Sequence, residues 1–569
     1  MSPRQKIFSK KGMFARFVAG AALLAALSAG PAGRSVRAAT GAPARPPAEA
    51  PEDPVLLAMQ AELERSKAQL KMDGVQAPYY IEYRVGDVDD YSAEAIFGTL
   101  RQEQRYHVRF VRVVVRIGDY RLDSYYGQGQ GVVDSMPVDN DLLAFRHQLW
   151  LATDKAYKAA SEALTAKLAL LKQYSIEQTV EDYSRASAVV SIEPLAHMDR
   201  DVTRWRKALE STTALYRKFP EVQSVDASLR FNTLNQYLVT SEGTMTRHGR
   251  SLYQITLSGS TQAPDGMRLD RSPYFLVSDQ RELPGEEKLL AETSKMLETL
   301  TRLRAAPIVE EEYRGPVLFA ADAANDVVAG LVANNVLGRK PAPNVPARTV
   351  GSYANSYKSR VLPDFLSVVD DPTLKTFGGT TLVGSYAVDD EGVKVAPVSV
   401  IENGLLVNYL LGRQPIRDFP ASNGHGRTGG GGFPGPSIGN LILKSSQSLS
   451  HDALRKKLLE MCQAQSKPYG YYVETMGPRL APRLLYRVWV KDGREEIVRG
   501  AIFSELDTRG LRNEVLAVGD DPEVSNRPGP TPTTVISPSM LFAELEVKRA
   551  DSSNDKLPEY GPPPLSPPK

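Results

Sequence analysis

Few residues in this chain are spaced for chemistry. Asp389-Asp390-Glu391-Gly392 sets three carboxylates in a row, but acids and glycine between apolar runs ordinarily form a solvated turn. Asp322 and Asp326 lie four apart in the stretch AADAANDVVAGLVANNVLG, the spacing that puts two carboxylates on one helix face, where paired acids can do proton-transfer work. The opposite face carries Val327, Val328, Leu331, Val332, Val336 and Leu337, with Gly338 at the end, so the segment also reads as an ordinary structural helix with its acids in solvent. His425 has no second histidine or cysteine at ligand spacing, which leaves it without the three protein donors a catalytic zinc needs. The glycine-rich run of residues 426–432 suggests a phosphate cradle, yet it lacks the Gly-Lys-Ser/Thr end, and Pro434 and Pro436 prevent a following helix. It reads as a mobile loop, with Arg427 at its head able to meet a carboxylate or a carbonyl. Cys462 is the single cysteine. It excludes an internal disulfide or a multi-cysteine metal site, and it shares a helix face with Leu454, Leu458 and Leu459, the position of a small core residue.

The elements that must position these residues are strands. The runs 397–401 and 405–411 flank Glu402-Asn403-Gly404, and Asn-Gly between β-branched runs predicts a two-residue type I′ hairpin. Residues 382–388 read as another strand running into the acidic turn, so 361–419 reads as a tight antiparallel meander. Upstream, residues 54–306 read as an α/β region. Its helices are predicted at 54–72, at 142–171 behind an Asp139/Asn140 cap, at 201–219 up to Pro220, and at 284–304. Strands are predicted at 108–117, 224–231, 236–240, 252–258 and 313–319. Residues 118–137 give no clear pattern.

Taken together, Val369-Asp370-Asp371-Pro372-Thr373, Gly384-Ser385-Tyr386, Asp389-Asp390-Glu391-Gly392, Val400-Ile401-Glu402-Asn403-Gly404-Leu405-Leu406 and Asn423-Gly424-His425-Gly426-Arg427 resemble, in order and spacing, the TldD/PmbA family of bacterial proteases. The resemblance is strong from about 315 to 548. It implies an α+β protein: an N-terminal α/β domain with long helices, then a mostly antiparallel, barrel-like C-terminal domain. In zinc-bearing members a helix after the strand at 317–319 carries His-Glu-x-x-x-His. Its histidines and a later cysteine bind zinc, and its Glu is the general base. Here that pattern falls on Ala329, Gly330 and Asn334, and the chain has no histidine between His248 and His425. The family's cysteine segment is replaced by Ser525-Asn526-Arg527-Pro528-Gly529-Pro530. The resemblance therefore implies no zinc and no catalytic residues here, as in the family's non-zinc subunit. It leaves Arg427, His425 and Asn440 as peptide-contacting candidates, His425 standing where the family often has Asn.

Composition sets the remaining expectations. The formal charge is +2, but residues 1–38 hold seven basic side chains and no acid; 69 less these seven leaves 62 basic against 67 acidic residues. A chain so balanced carries no footprint for nucleic acid. Basic residues, an apolar run at 17–27 and Val36-Arg37-Ala38 predict a cleaved secretory signal over 1–38, hence export to the periplasm or beyond and no stable membrane span. A Pro/Ala-rich linker is expected at 39–53, the N-terminal domain at 54–306, the C-terminal domain at 307–549 and a disordered Pro-rich tail at 550–569. The implied function is a non-catalytic or peptide-binding subunit of a protease complex. It would pair with a zinc-bearing TldD-like paralogue or with itself and engage unfolded or modified peptides. The alternative is a peptide hydrolase acting through unidentified residues.

Overall fold

The computed structural model describes residues 53–550 except 200, 343, 344 and 430; the expected signal, nearly all of the linker and almost the whole tail lie outside the described residues. Its N-terminal half is an eight-stranded sheet built on two long hairpins. Pro78–Ile96 pairs with Thr99–Ile117, and Ser224–Thr240 pairs with Met245–Gln262. Phe97 and Gly98 close the first hairpin with φ of 50° and 81°, the left-handed pair that a twisted two-residue turn requires. Strand Val132–Met136, from the segment without a clear sequence pattern, extends the sheet beside Arg109–Val113.

The long strands alternate strictly, and each face has its own partner. Odd-numbered Ile81, Tyr83, Val85, Tyr91 and Ala93 are buried under helices Pro54–Gln69, Leu142–Gln173, Thr203–Thr213 and Glu286–Ala305 in two adjoining apolar cores. Even-numbered Tyr80, Glu82 and Arg84 are also buried, because the C-terminal domain lies against that face. The long helix begins at Leu142 as expected, but its cap lies one residue beyond the expected pair. Asp141, rather than Asp139 or Asn140, accepts from the amides of Leu143 and Ala144.

The C-terminal half is two open sheets with a helix between them. One has the order 405–406, 398–402, 366–370, 440–445, 533–537, 523–527; the other is centred on Tyr469–Met476, Tyr313–Phe319 and Met540–Arg549. Pairing is mostly antiparallel, and the sheets do not close into the expected barrel, since 405–406 and 523–527 remain end strands. The Asn403-Gly404 hairpin forms as predicted, with φ of 47° and 77°. The meander does not: Val398–Glu402 pairs with Leu366–Asp370 instead. Residues 382–388 form no continuous strand; Leu382 and Val383 are buried with Leu374, Ile442 and Ile536, and their amides donate to Lys375 O and Asn526 Oδ1. Among the described residues no helix is long and apolar enough to cross a membrane.

Candidate functional site

Strand Tyr313–Phe319 runs into the helix Ala321–Val328, which continues as one π-helical turn, Ala329–Ala333. Val327, Val328, Val332 and Val336 point inward and are fully buried between the two sheets. That inward face is what makes the segment a helix here, and it leaves the outward face free. A π-turn inserts one residue into the helical repeat and re-aims the side chains beyond it. Here it spans two of the three positions at which a zinc motif would fall.

The outward face floors a cleft of three adjoining hollows. The first, about 540 Å³, lies between the domains, with Arg271 and Tyr274 on one wall and Asp322, Asp326 and Glu523 on the other. The second, about 460 Å³, is lined by Asp326, Ala329, Gly330, Leu480 and Arg527. The third, about 390 Å³, is lined by Ala329, Ala333, Asn334, Arg427 and Arg527 among others. Adjacent hollows share residues, so they form one path along the helix. The structure thus brings Ala329, Gly330, Asn334 and Arg427 together, although Arg427 is about a hundred residues away in sequence. Over the middle hollow, Arg479 and Leu480 both adopt positive φ, 59° and 56°, an unfavourable backbone for two side-chain-bearing residues in succession.

Across the middle of this path runs an ion pair. Arg527, from the end strand Glu523–Arg527, donates through Nη2 to Asp326 Oδ1, and Asn325 Nδ2 ties the same strand to the helix through Glu523 O at 3.0 Å. Asp322 is open to solvent on one side, yet burial of its other side, with Asp326 and Glu523 nearby, pushes its carboxyl up to about 6.

Residues 312–549 match the family model of the PmbA/TldA metallopeptidase C-terminal domain. The chain is 28% identical to a metalloprotease of Methanocaldococcus jannaschii over 21% of its length and 25% of the relative's. It is 23% identical to a metalloprotease of Archaeoglobus fulgidus over 44% of its length and 56% of the relative's. The matched segments thus span a quarter to about half of these curated relatives. The crystal structure of TldE from Thermococcus kodakarensis superposes with a TM-score of 0.57 at 12% identity, covering 86% of this chain and all of that one. Residues 312–549 thus form a C-terminal domain of the TldD/PmbA family.

The residues at the family's zinc position do not fit the metal. Ala329 and Gly330 offer no side-chain donor, Asn334 offers one amide oxygen, and the segment in place of the cysteine contributes the guanidinium of Arg527, a cation. Among the described residues no three His, Cys, Asp or Glu side chains gather around a point that could hold a metal ion. Cys462 lies in a separate core on the helix His451–Ala464, fully buried, its thiol pushed up to about 11 by that burial.

The family's motif residues do a different job, which sequence reasoning missed. Asp389, Asp390 and Glu391 form no solvated turn; they are 2%, 5% and 5% exposed at the domain junction. Asp389 accepts from the amides of Glu391, Val393 and Gly426. Asp390 accepts from Gln236 Nε2 of the N-terminal sheet at 2.9 Å and from the Thr428 amide at 2.7 Å. Glu391 accepts from the Arg413 amide, and the Arg413 guanidinium reaches Glu242 and Ser184 O across the junction. Burial raises the carboxyls of both Asp389 and Glu391 above the ordinary range. Burial would raise Asp390 too, but Arg427, His248 and Arg84 outweigh it and hold this carboxyl below the usual range.

The three peptide-contacting candidates separate accordingly. His425 is fully buried, its Nε2 3.1 Å from Asp370 Oδ1 and its Nδ1 beside Asn423. Asn440 is also fully buried, donating to Asp371 O and Leu374 O. Both side chains brace the scaffold away from the surface. Arg427 alone lines the cleft. It is 7% exposed, with Nε 3.4 Å from Asp390 Oδ2, its guanidinium 4.0 Å over the Tyr386 ring, and Nη1 without a partner. The glycine-rich loop after it is docked on the N-terminal sheet. Arg112 donates to Gly431 O at 2.9 Å and lies 4.0 Å over Phe433.

Proposed function

We propose that this chain is an exported, non-catalytic TldD/PmbA subunit that binds extended peptides along the cleft and partners a zinc-bearing relative or a second copy of itself. The observation that carries this reading is the Asp326–Arg527 ion pair in the hollow lined by Ala329 and Gly330, two of the positions on which the family's zinc motif falls, within a continuous cleft. A scaffold and a cleft can serve binding and assembly without ligands for a metal. The partner interface would use the C-terminal domain and bury more than about 1,600 Å². The test combines the purified chain with a zinc-bearing paralogue from the same envelope. Light scattering should show a stoichiometric complex, with peptide hydrolysis confined to the paralogue. If the chain stays monomeric at micromolar concentration with and without the paralogue, the subunit reading fails.

A specific observation supports a second reading. The Asp322 carboxyl, raised to about 6 beside Asp326 in the first hollow, is tuned as a general acid–base group could be. A hydrolase using it would cleave peptides in excess chelator and lose that activity in Asp322→Asn.

A further inference from the structure

The third hollow differs from the first in charge. Its charged lining residues are Arg339, Arg427 and Arg527, with no Asp or Glu among them. The first hollow mixes four acids, Glu282, Asp322, Asp326 and Glu523, with three bases. Arg427 Nη1 and Arg527 Nε are buried nitrogens without hydrogen-bond partners, and leaving a buried donor unmade costs about 1–3 kcal/mol, more for a charged group. Arg339 is exposed at the rim and has no side-chain ion pair among the described residues. Ala333, Leu337 and Ile438 give the same hollow an apolar wall.

The geometry points to this hollow as the seat of a free carboxylate, specifically the C-terminal carboxylate of a bound peptide, with the last side chain against Ala333, Leu337 and Ile438. The inference rests on the reading of the cleft as a peptide channel. Guanidinium groups pair with carboxylates through two parallel N–H donors, and Arg427 is already oriented by Asp390 and Tyr386, so little freedom remains to be lost on binding. The path supplies the direction. From Asp322 to Ala333 the helical segment rises about 16 Å at about 1.5 Å per residue, room for roughly five extended residues at about 3.3 Å each, running from the mixed-charge hollow to the arginines.

Strand addition on the neighbouring edge does not supply this recognition. Along Glu523–Arg527, Glu523 O already accepts from Asn325 and Asn526 O from Tyr274 Oη at 2.8 Å. Side chains thus cover an edge that would otherwise recruit a strand, which leaves selectivity to the hollow at its end.

The experiment uses the full chain and the fluorescein-labelled heptapeptide AAVAALA, as free acid and as C-terminal amide, read by anisotropy at low salt. The acid should bind at least tenfold more tightly than the amide. That preference should fall below about threefold in Arg339→Gln, an exposed position that leaves the fold untouched, and in Arg427→Lys, which keeps the charge but loses the fork. Equal binding of acid and amide overturns the carboxylate seat and leaves the peptide channel standing. No binding of either overturns both. Inorganic phosphate is the third arm. Phosphate that competes only with the acid supports the seat, whereas phosphate that binds while acid and amide remain equal makes the hollow a free-anion site and overturns the inference.

Discussion

Replacing Asp390 by Asn should weaken the join between the two domains by about 3 kcal/mol. Asp390 is 5% exposed and Arg427 7% exposed, so neither charge is well screened by water. In the variant, Arg427 keeps its charge but loses the carboxylate 3.4 Å from its Nε, and stranding one partner of a buried pair costs about 3–5 kcal/mol. The lower end applies because Tyr386 continues to stack on the guanidinium and because the Asn amide can still accept from Thr428. It cannot also accept from Gln236 Nε2 without turning its own NH₂ toward another donor. The sign with pH is set by the lowered Asp390 carboxyl. Its contribution is present above the unfolded value near 4 and is lost as pH falls through the lower folded value, so the wild-type advantage should shrink below pH 4. Amide exchange over residues 386–393 and 424–429, measured with the urea transition, reads the local and global costs separately. Removing both charges in Asp390→Asn/Arg427→Gln should cost less than the sum of the single changes. If Asp390→Asn leaves exchange in both segments unchanged and costs under about 1 kcal/mol, the acidic turn does not fasten the two domains together.

Gly426→Ala should destabilise the protein by about 1–3 kcal/mol, because its new Cβ would lie 2.1 Å from Glu391 Oε2; calorimetry showing an unchanged melting temperature would count against the packing. Asp322→Asn should stabilise at pH 7 by on the order of 1 kcal/mol, a raised acid being costly only when ionised, with its open side reducing the effect. The gain should vanish as pH falls from about 6 to about 4 in parallel unfolding curves. Cys462 should resist a thiol reagent at pH 8 until the chain is unfolded, since the buried thiol is pushed up to about 11; rapid native labelling would contradict its place in the core. Ala329→His with Asn334→His should not create a tight zinc site, as no third donor arrives and Arg527 remains. One zinc per chain surviving dialysis against a weak chelator would show otherwise.

The elements legible in the sequence are those that local physics decides. The helix at Leu142–Gln173 shows a sustained apolar spacing, and Asn403-Gly404 has one good conformation between β-branched runs. The 19-residue strand Thr99–Ile117 was half hidden, because its first half, TLRQEQRYH, is mostly solvent-exposed and polar. Its partner, Pro78–Ile96, has Glu82, Arg84 and Asp90 where an apolar alternation would be sought. Those charges are buried against another part of the chain, which no short window contains. The same holds at the site. That Ala329, Gly330 and Asn334 are not ligands is clear from residue type alone, but that Arg427 and Arg527 share a hollow with Ala329 depends on the packing of two sheets around one helix. The burial of Asp389, Asp390 and Glu391 could have been suspected from one signal, a third consecutive carboxylate followed downstream by small residues. Gly412 and Gly426 are the two glycines whose added Cβ would collide with Glu391.

The positions on which the zinc motif falls and the scaffold residues occupy opposite faces of the same helix, so one set can change without the other. Val327, Val328, Val332 and Val336 hold the helix between the sheets, and nothing at Ala329, Gly330 or Asn334 contributes comparably to that core. Ligand side chains at those positions are therefore dispensable to folding. The junction residues are not: Asp370 braces His425 and the Gly439 amide, Asn440 fixes the turn at 371–374, and Asp389 to Glu391 fasten one domain to the other. A buried carboxylate accepting several N–H bonds has no neutral substitute that accepts as many, because the isosteric amide turns one acceptor oxygen into a donor. The motif residues of this sequence thus mostly build the junction that shapes the cleft. Arg527 then has a consequence of its own for the proposed peptide channel. If a peptide lies in the cleft as proposed, Arg527, whose charge is already paired with Asp326, offers it the unpartnered Nε donor, but neither a metal-bound water to activate nor an open coordination position for cleavage.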